Sequence, residues 1–131
     1  MNRILLDTSA YSHFKRNHAE MIDILQIAEE IYLSPIVLGE LRAGFAAGGR
    51  RKENETELRE FLDSPRVRVL TVNEEASEFY AAIYSSLRQA GSPIPSNDLW
   101  IAATAMQHGL HLVTSDRHFM AVQQVIVHLL S

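Results

Sequence analysis

The sequence predicts an α/β sandwich with a mainly parallel central sheet. Short apolar runs alternate with amphipathic stretches in the order strand, helices, strand, helices, strand, two helices, strand, short helix, strand, the pattern of strands joined through helical crossovers. The chain has 131 residues, which suits one domain over residues 1–131 built on one core, because about 100 to 200 residues is the usual size of such a unit. No internal repeat, low-complexity tract or linker divides it.

The elements follow in order. Residues 3–6 form an apolar run that ends abruptly in Asp7-Thr8-Ser9, a buried strand leading into a helix. Met21, Ile22, Leu25 and Ala28 recur at spacings of three and four and predict a helix over 19–29. Ile31-Tyr32-Leu33 is the second strand. Ser34 then offers an N-cap with Pro35 at the first helical position, and Gly48-Gly49 stops that helix after Ala47. Residues 51–63 read as a charged amphipathic helix with Leu58, Phe61 and Leu62 facing inward, and 66–72 as a third strand through Val67, Val69 and Thr71. Asn73 caps a long helix with Glu74 and Glu75 in its first turn, where the helix dipole favours negative charge. Its stripe of Ala76, Phe79, Tyr80, Ile83 and Leu87 is core. After the loop 91–95, Ser96 is expected to cap a helix through Gln107. Leu110 to Val113 is the fourth strand, Asp116 to Met120 a turn or short helix, and Val125 to Val127 the last strand.

Composition narrows the function. The net charge of −4 argues against holding nucleic acid by bulk charge, since phosphate binding relies on clustered Lys and Arg. Any such contact must be local, with Lys15-Arg16, Arg42 and Arg50-Arg51-Lys52 the candidates; the last run also fits a solvated helix face, because Glu53, Glu55 and Glu57 follow it. With no cysteine, disulfides and thiolate metal sites are excluded, which suits a reducing cytoplasm. Apolar runs such as Ile4-Leu5-Leu6 fall far short of the ~20 residues that span a bilayer, so no membrane segment is expected. Asp7 interrupts the N-terminal apolar stretch before a signal-peptide core forms, so export is not expected either.

Four of the sixteen acids stand where solvent would not take them. Asp7 follows three apolar residues at the end of the first strand, and Asp116 comes just after Leu112-Val113. Ligands of open parallel sheets bind in crevices at the carboxyl ends of strands, so both should point into one. Glu40 lies within a helix beside Ile36, Val37 and Gly44, and Asp98 shares its helix face with Ile101, Ala102 and Ala105. An unpartnered buried carboxylate costs several kcal/mol, and no inward-facing Lys or Arg lies one turn from either helix position. A shared cation accounts for all four.

Oxygen ligands without cysteine favour Mg²⁺ or Mn²⁺, and three or four carboxylates around such ions suit phosphodiester hydrolysis. The neighbouring hydroxyls of Thr8, Ser9, Thr114 and Ser115, with Asn97, are candidates to orient the carboxylates and water; each also fits a cap or turn. A competing reading is a catalytically inactive module whose acidic cluster docks an Arg-bearing partner segment. Gly-x-Ser-x-Gly, P-loop and dinucleotide-loop motifs are absent.

With these residues placed, the sequence resembles PIN-domain proteins, most closely the VapC-type toxin ribonucleases of bacterial toxin-antitoxin pairs. The matching pieces are Ile4-Leu5-Leu6-Asp7-Thr8-Ser9, Gly39-Glu40-Leu41-Arg42-Ala43-Gly44, Asn97-Asp98-Leu99-Trp100-Ile101-Ala102-Ala103 and Leu112-Val113-Thr114-Ser115-Asp116-Arg117-His118-Phe119. They fall in the family's order and span nearly the whole chain. The resemblance implies a Rossmann-like three-layer α/β/α sandwich, Mg²⁺ or Mn²⁺ held by Asp7, Glu40, Asp98 and Asp116, and endonucleolytic cleavage of RNA. It also implies a homodimer and a cognate VapB-type antitoxin that inhibits by laying a segment over the active site, in a heterotetramer or larger assembly. Many relatives carry a further acid near the position that His118 occupies here, so a second metal ion has one carboxylate fewer to hold it.

Overall fold

The computed structural model describes residues 2–131; Met1, the first residue of the domain expected over 1–131, lies outside the described residues. Five strands, β1 (Arg3–Leu6), β2 (Glu30–Leu33), β3 (Val67–Val69), β4 (His111–Thr114) and β5 (Val127–Leu129), form one sheet in the order β3-β2-β1-β4-β5. Every pairing is parallel, and helices flank the sheet, the α/β/α sandwich expected. The helices are α1 (Thr8–Lys15), α2 (Ala19–Ile27), α3 (Pro35–Ala47), α4 (Arg51–Leu62), α5 (Glu74–Ala90) and α6 (Ser96–His108), with a short 3-10 helix at Arg117–Ala121. None of the described helices is long and apolar enough to cross a membrane.

Local chemistry sets these limits. Ser34 and Asn73 accept from the backbone N–H groups of Val37 and Ala76, as their positions before the helices require, and Pro35 opens α3. Gly91 and Gly109 end α5 and α6 with φ of 70° and 63°, a left-handed conformation in which a Cβ is strained. The central strands are apolar on both faces because helices cover both: Ile4, Leu5 and Leu6 are fully buried, as are Leu112 and Val113.

Three expectations are corrected. Ser96 is not a cap; it is the first helical residue, Pro95 precedes it, and the helical ladder starts with the Leu99 N–H donating to the Pro95 carbonyl at 3.0 Å. The third strand is shorter than 66–72 because its only partner, β2, runs out at Leu33, opposite Val69. One further bond, Leu70 N–H to the Leu33 carbonyl at 2.9 Å, closes the pairing. The last strand lies two residues later than 125–127: Val125 packs into the core, Ile126 is exposed, and Val127 begins the pairing opposite Leu112.

The strand order positions the site. From β1 the chain steps outward to β2 and β3, then crosses back to place β4 on the other side of β1 and β5 beyond it. Connections therefore leave the carboxyl ends of β1 and β4 in opposite directions, opening a crevice where ligands of such sheets bind.

Candidate active site

Asp7 and Asp116 follow the two strands that border this crevice. Leu6 is in register with Val113, and the Asp7 N–H donates to the Val113 carbonyl at 3.3 Å. Asp7 is the N-cap of α1: its Oδ1 accepts from the Ala10 N–H at 2.9 Å and from the Ser9 hydroxyl at 2.7 Å, and its Oδ2 from the Thr114 hydroxyl at 2.5 Å. Asp116 caps the 3-10 helix, accepting from the His118 N–H at 2.9 Å. Two helices bring the other acids to the same place. Glu40, in the middle of α3, and Asp98, in the first turn of α6, line with Asp7, Thr8, Ser9, Ile101 and Asp116 a cleft of about 290 Å³. All four predicted carboxylates thus converge, although Asp7 and Asp116 stand 109 positions apart in the chain.

The predicted polar neighbours are largely in place. Thr8 donates to Glu40 Oε1 at 2.6 Å, and Asn97 Nδ2 to Glu40 Oε2 at 3.3 Å, so both oxygens of that carboxylate are oriented. Ser9 and Thr114 orient Asp7, and the Thr114 hydroxyl also accepts from the Asp116 N–H at 2.9 Å. Ser115 enters differently from the expectation. Its backbone N–H, not its hydroxyl, reaches the site, donating to Ser9 Oγ at 2.9 Å.

The electrostatics of the cleft are unbalanced. Burial raises the Asp98 carboxyl, and Asp116, Glu40 and Asp7 raise it further, to about 6. Asp7 is also raised, chiefly by burial, against the opposing pull of its bonds from Thr114, Ser9 and the Ala10 N–H. No Lys or Arg among the described residues forms an ion pair with any of the four. The basic residues noted in the sequence face elsewhere: Lys15 pairs with Glu57 and Arg42 with Glu55, each at 2.9 Å, and Arg50 pairs with Glu53. An oxygen-rich donor set with excess negative charge fits a divalent cation.

His118, noted in the sequence only as standing where the resemblance expects a further acid, belongs to this cluster. Single ligand atoms of Asp98, Asp116 and His118 lie within 4.8 Å of one another, and His118 Nδ1 is 3.2 Å from Asp116 Oδ1. The available signal was its position, two residues beyond an acid at a strand end, with the turn after β4 folding it back.

Comparison with known proteins places the chain. The PIN domain family profile matches residues 4–124. Ribonuclease VapC4 of Mycobacterium tuberculosis is 36% identical over 95 residues, covering 72% of this chain and 73% of that protein. VapC ribonuclease Y4jK of Sinorhizobium fredii is 35% identical over 121 residues, covering 86% of each. Among solved structures, FitAcB from Neisseria gonorrhoeae superposes with a TM-score of 0.78 at 35% identity, over 95% of both chains. VapBC2 from Rickettsia felis, bound to a DNA fragment from their promoter, gives 0.85 at 26% identity, over 95% of this chain and 96% of that one. With the profile spanning both strand-end acids and both helical ones, the chain belongs to the PIN domain family, in its VapC-type branch.

Proposed function

We propose that residues 1–131 act as one PIN-like nuclease domain, a metal-dependent endoribonuclease that is the toxin of a type II toxin-antitoxin pair. The observation that carries this reading is the convergence of Asp7, Glu40, Asp98 and Asp116 in one cleft without a Lys or Arg partner among the described residues. Relatives bearing the names ribonuclease and toxin supply the substrate class. Asp7 and Asp98 are the direct ligands of Mg²⁺ or Mn²⁺ in this reading, and Glu40 and Asp116 complete the set or position the attacking water. A divalent ion bound there polarises the phosphoryl oxygens and makes water a stronger acid. An RNA phosphodiester would otherwise bring its own negative charge against four carboxylates, so the acids alone repel the substrate they are to cut.

The chain's own residues hold the geometry. Ser9, Thr114 and the Ala10 N–H fix Asp7 from three directions, while Thr8 and Asn97 fix Glu40. Fixed carboxylates lose little on binding, and catalysis by positioning depends on such preorganisation. The partners we assign are an RNA substrate, a second copy of the chain in a homodimer, and a cognate VapB-type antitoxin, with the complex a heterotetramer or larger, working in the cytoplasm. A solved structure of a similar chain, from a VapBC family toxin-antitoxin system of Mycobacterium tuberculosis, supports the antitoxin.

The test is cleavage of total cellular RNA by purified protein with Mg²⁺, with Mn²⁺ and with EDTA, beside Asp98→Asn. Discrete fragments that require metal and vanish in the variant are expected. Identical lanes, with divalent-ion binding also absent, would replace the nuclease by a module that docks an Arg-bearing partner on its acids.

A further inference from the structure

We propose that His118 is a nitrogen ligand of the same centre, standing with Asp98 and Asp116, and that it tilts selectivity from Mg²⁺ towards first-row transition ions. The inference rests on the metal-dependent reading above and adds a ligand to it. His118 lies in the 3-10 helix that Asp116 caps, and its backbone N–H and ring Nδ1 both meet Asp116 Oδ1, at 2.9 and 3.2 Å. That double approach sets the ring against the acid cluster, while the side chain stays 66% exposed. Asp98 completes the group from the opposite element, α6, within the 4.8 Å that covers all three ligand atoms.

Three of the other five histidines make contacts elsewhere. His13 Nδ1 meets the Ser9 carbonyl, both ring nitrogens of His18 are engaged, by the Met21 N–H and the Ser131 carbonyl, and His128 binds Glu20. These contacts hold helices and the C-terminal strand together. His118 is the histidine, among the described residues, that shares a cluster of ligand atoms with acids of the cleft.

The consequence follows from ligand chemistry. Mg²⁺ takes octahedral oxygen sets and surrenders its waters reluctantly. Imidazole nitrogen adds affinity for divalent first-row ions in the order that rises from Mn²⁺ through Co²⁺ to Ni²⁺. Replacing an oxygen donor by nitrogen at one corner therefore changes which ion wins more than whether an ion binds. The exposed edge position of His118 suits this role, because its ring can swing onto an ion without disturbing the core.

The experiment is pulsed EPR of Mn²⁺ bound to the full chain, reading the ¹⁴N coupling of a coordinated imidazole, in the wild type, in His118→Asp and in His118→Gln. Expected are a nitrogen coupling in the wild type, its loss in both variants, and retention of Mn²⁺ by both. Competition binding should show the preference for Mn²⁺ over Mg²⁺ falling about tenfold in His118→Asp, the scale on which single groups at a metal centre act. Bound Mn²⁺ without nitrogen coupling, or with coupling that survives both substitutions, would overturn the ligand assignment and leave the carboxylate centre standing. No Mn²⁺ bound by any of the three would overturn both readings.

Discussion

The Thr114 hydroxyl donates to Asp7 Oδ2 at 2.5 Å across 107 positions of sequence and accepts from the Asp116 N–H at 2.9 Å. One buried side chain at the end of β4 thus fixes the acid at the end of β1 and the backbone of the acid that follows β4. The contact exists because β1 and β4 are neighbours in register, Leu6 beside Val113, so the residues that follow them leave the sheet side by side.

Thr114→Val keeps the shape of this side chain and removes both bonds. Thr114 is fully buried, so the variant leaves an Asp7 oxygen and the Asp116 N–H short of a partner, a loss of about 1–3 kcal/mol. Urea unfolding of the metal-free protein reads that loss directly, and RNA cleavage should fall with it because Asp7 is no longer held. Thr114→Ser retains the hydroxyl and should recover most of both. A valine variant as stable and as active as the wild type would mean that the bond orients nothing.

Asp98 predicts an unusual pH dependence for the metal-free protein. Its carboxyl is raised from 3.8 to about 6, first by burial and then by Asp116, Glu40 and Asp7. The folded state therefore holds this proton more tightly than the unfolded chain does. By linkage its contribution favours the fold below about pH 4 and is lost as pH rises to about 6. In EDTA, Asp98→Asn should melt at a higher temperature than the wild type at pH 7, and the difference should shrink towards pH 4. Mn²⁺ should raise the wild-type melting temperature more than that of the variant. A lower melting temperature for Asp98→Asn at pH 7 in EDTA would show that the Asp98 charge is no net cost to the fold.

What could be read in the sequence was what depends on periodicity and position. Asp7 and Asp116 stand out because a carboxylate directly after an apolar strand has few other places to go, and Glu40 and Asp98 because helical phase puts them beside apolar residues. Ser9 and Thr114 were within reach as neighbours of those acids. The sheet order was not legible, and the role of Ser115 depends on it: a backbone N–H is the same at every position, and only the register of β4 beside β1 makes this one meet Ser9. His118 was marked only by the resemblance, as standing where many relatives carry a further acid, and its place among the ligand atoms was hidden for a related reason. Its spacing from Asp116 is ordinary, and the 3-10 turn that brings its ring back to Asp116 carries no strong sequence mark. The two edge strands were misjudged in length or place because pairing ends where the partner ends, which an apolar run does not disclose.

Glu20 holds the far edge of the sheet and predicts the opposite pH behaviour to Asp98. From α2 it accepts from the Ser131 N–H at 2.9 Å, the Ser131 hydroxyl at 3.0 Å and His128 Nε2 at 2.9 Å, and these bonds, the Ser131 N–H foremost, lower its carboxyl to about 2. A depressed carboxyl contributes stability that is complete above about pH 4.5 and is lost as pH falls towards 2. Because β5 pairs with β4 alone, Glu20 supplies a second hold, on the strand's His128 and on Ser131 beyond it. Glu20→Gln keeps the shape and removes the charge, so its stability should fall less steeply than the wild type's between pH 4.5 and 2.5. At pH 7 the amides of Val127–Leu129 should exchange with solvent faster in the variant. Acid limbs that superpose would mean that Glu20 is equally acidic in the folded and unfolded chain, and β5 would then be held by its pairing to β4 and by the core contact of Leu130.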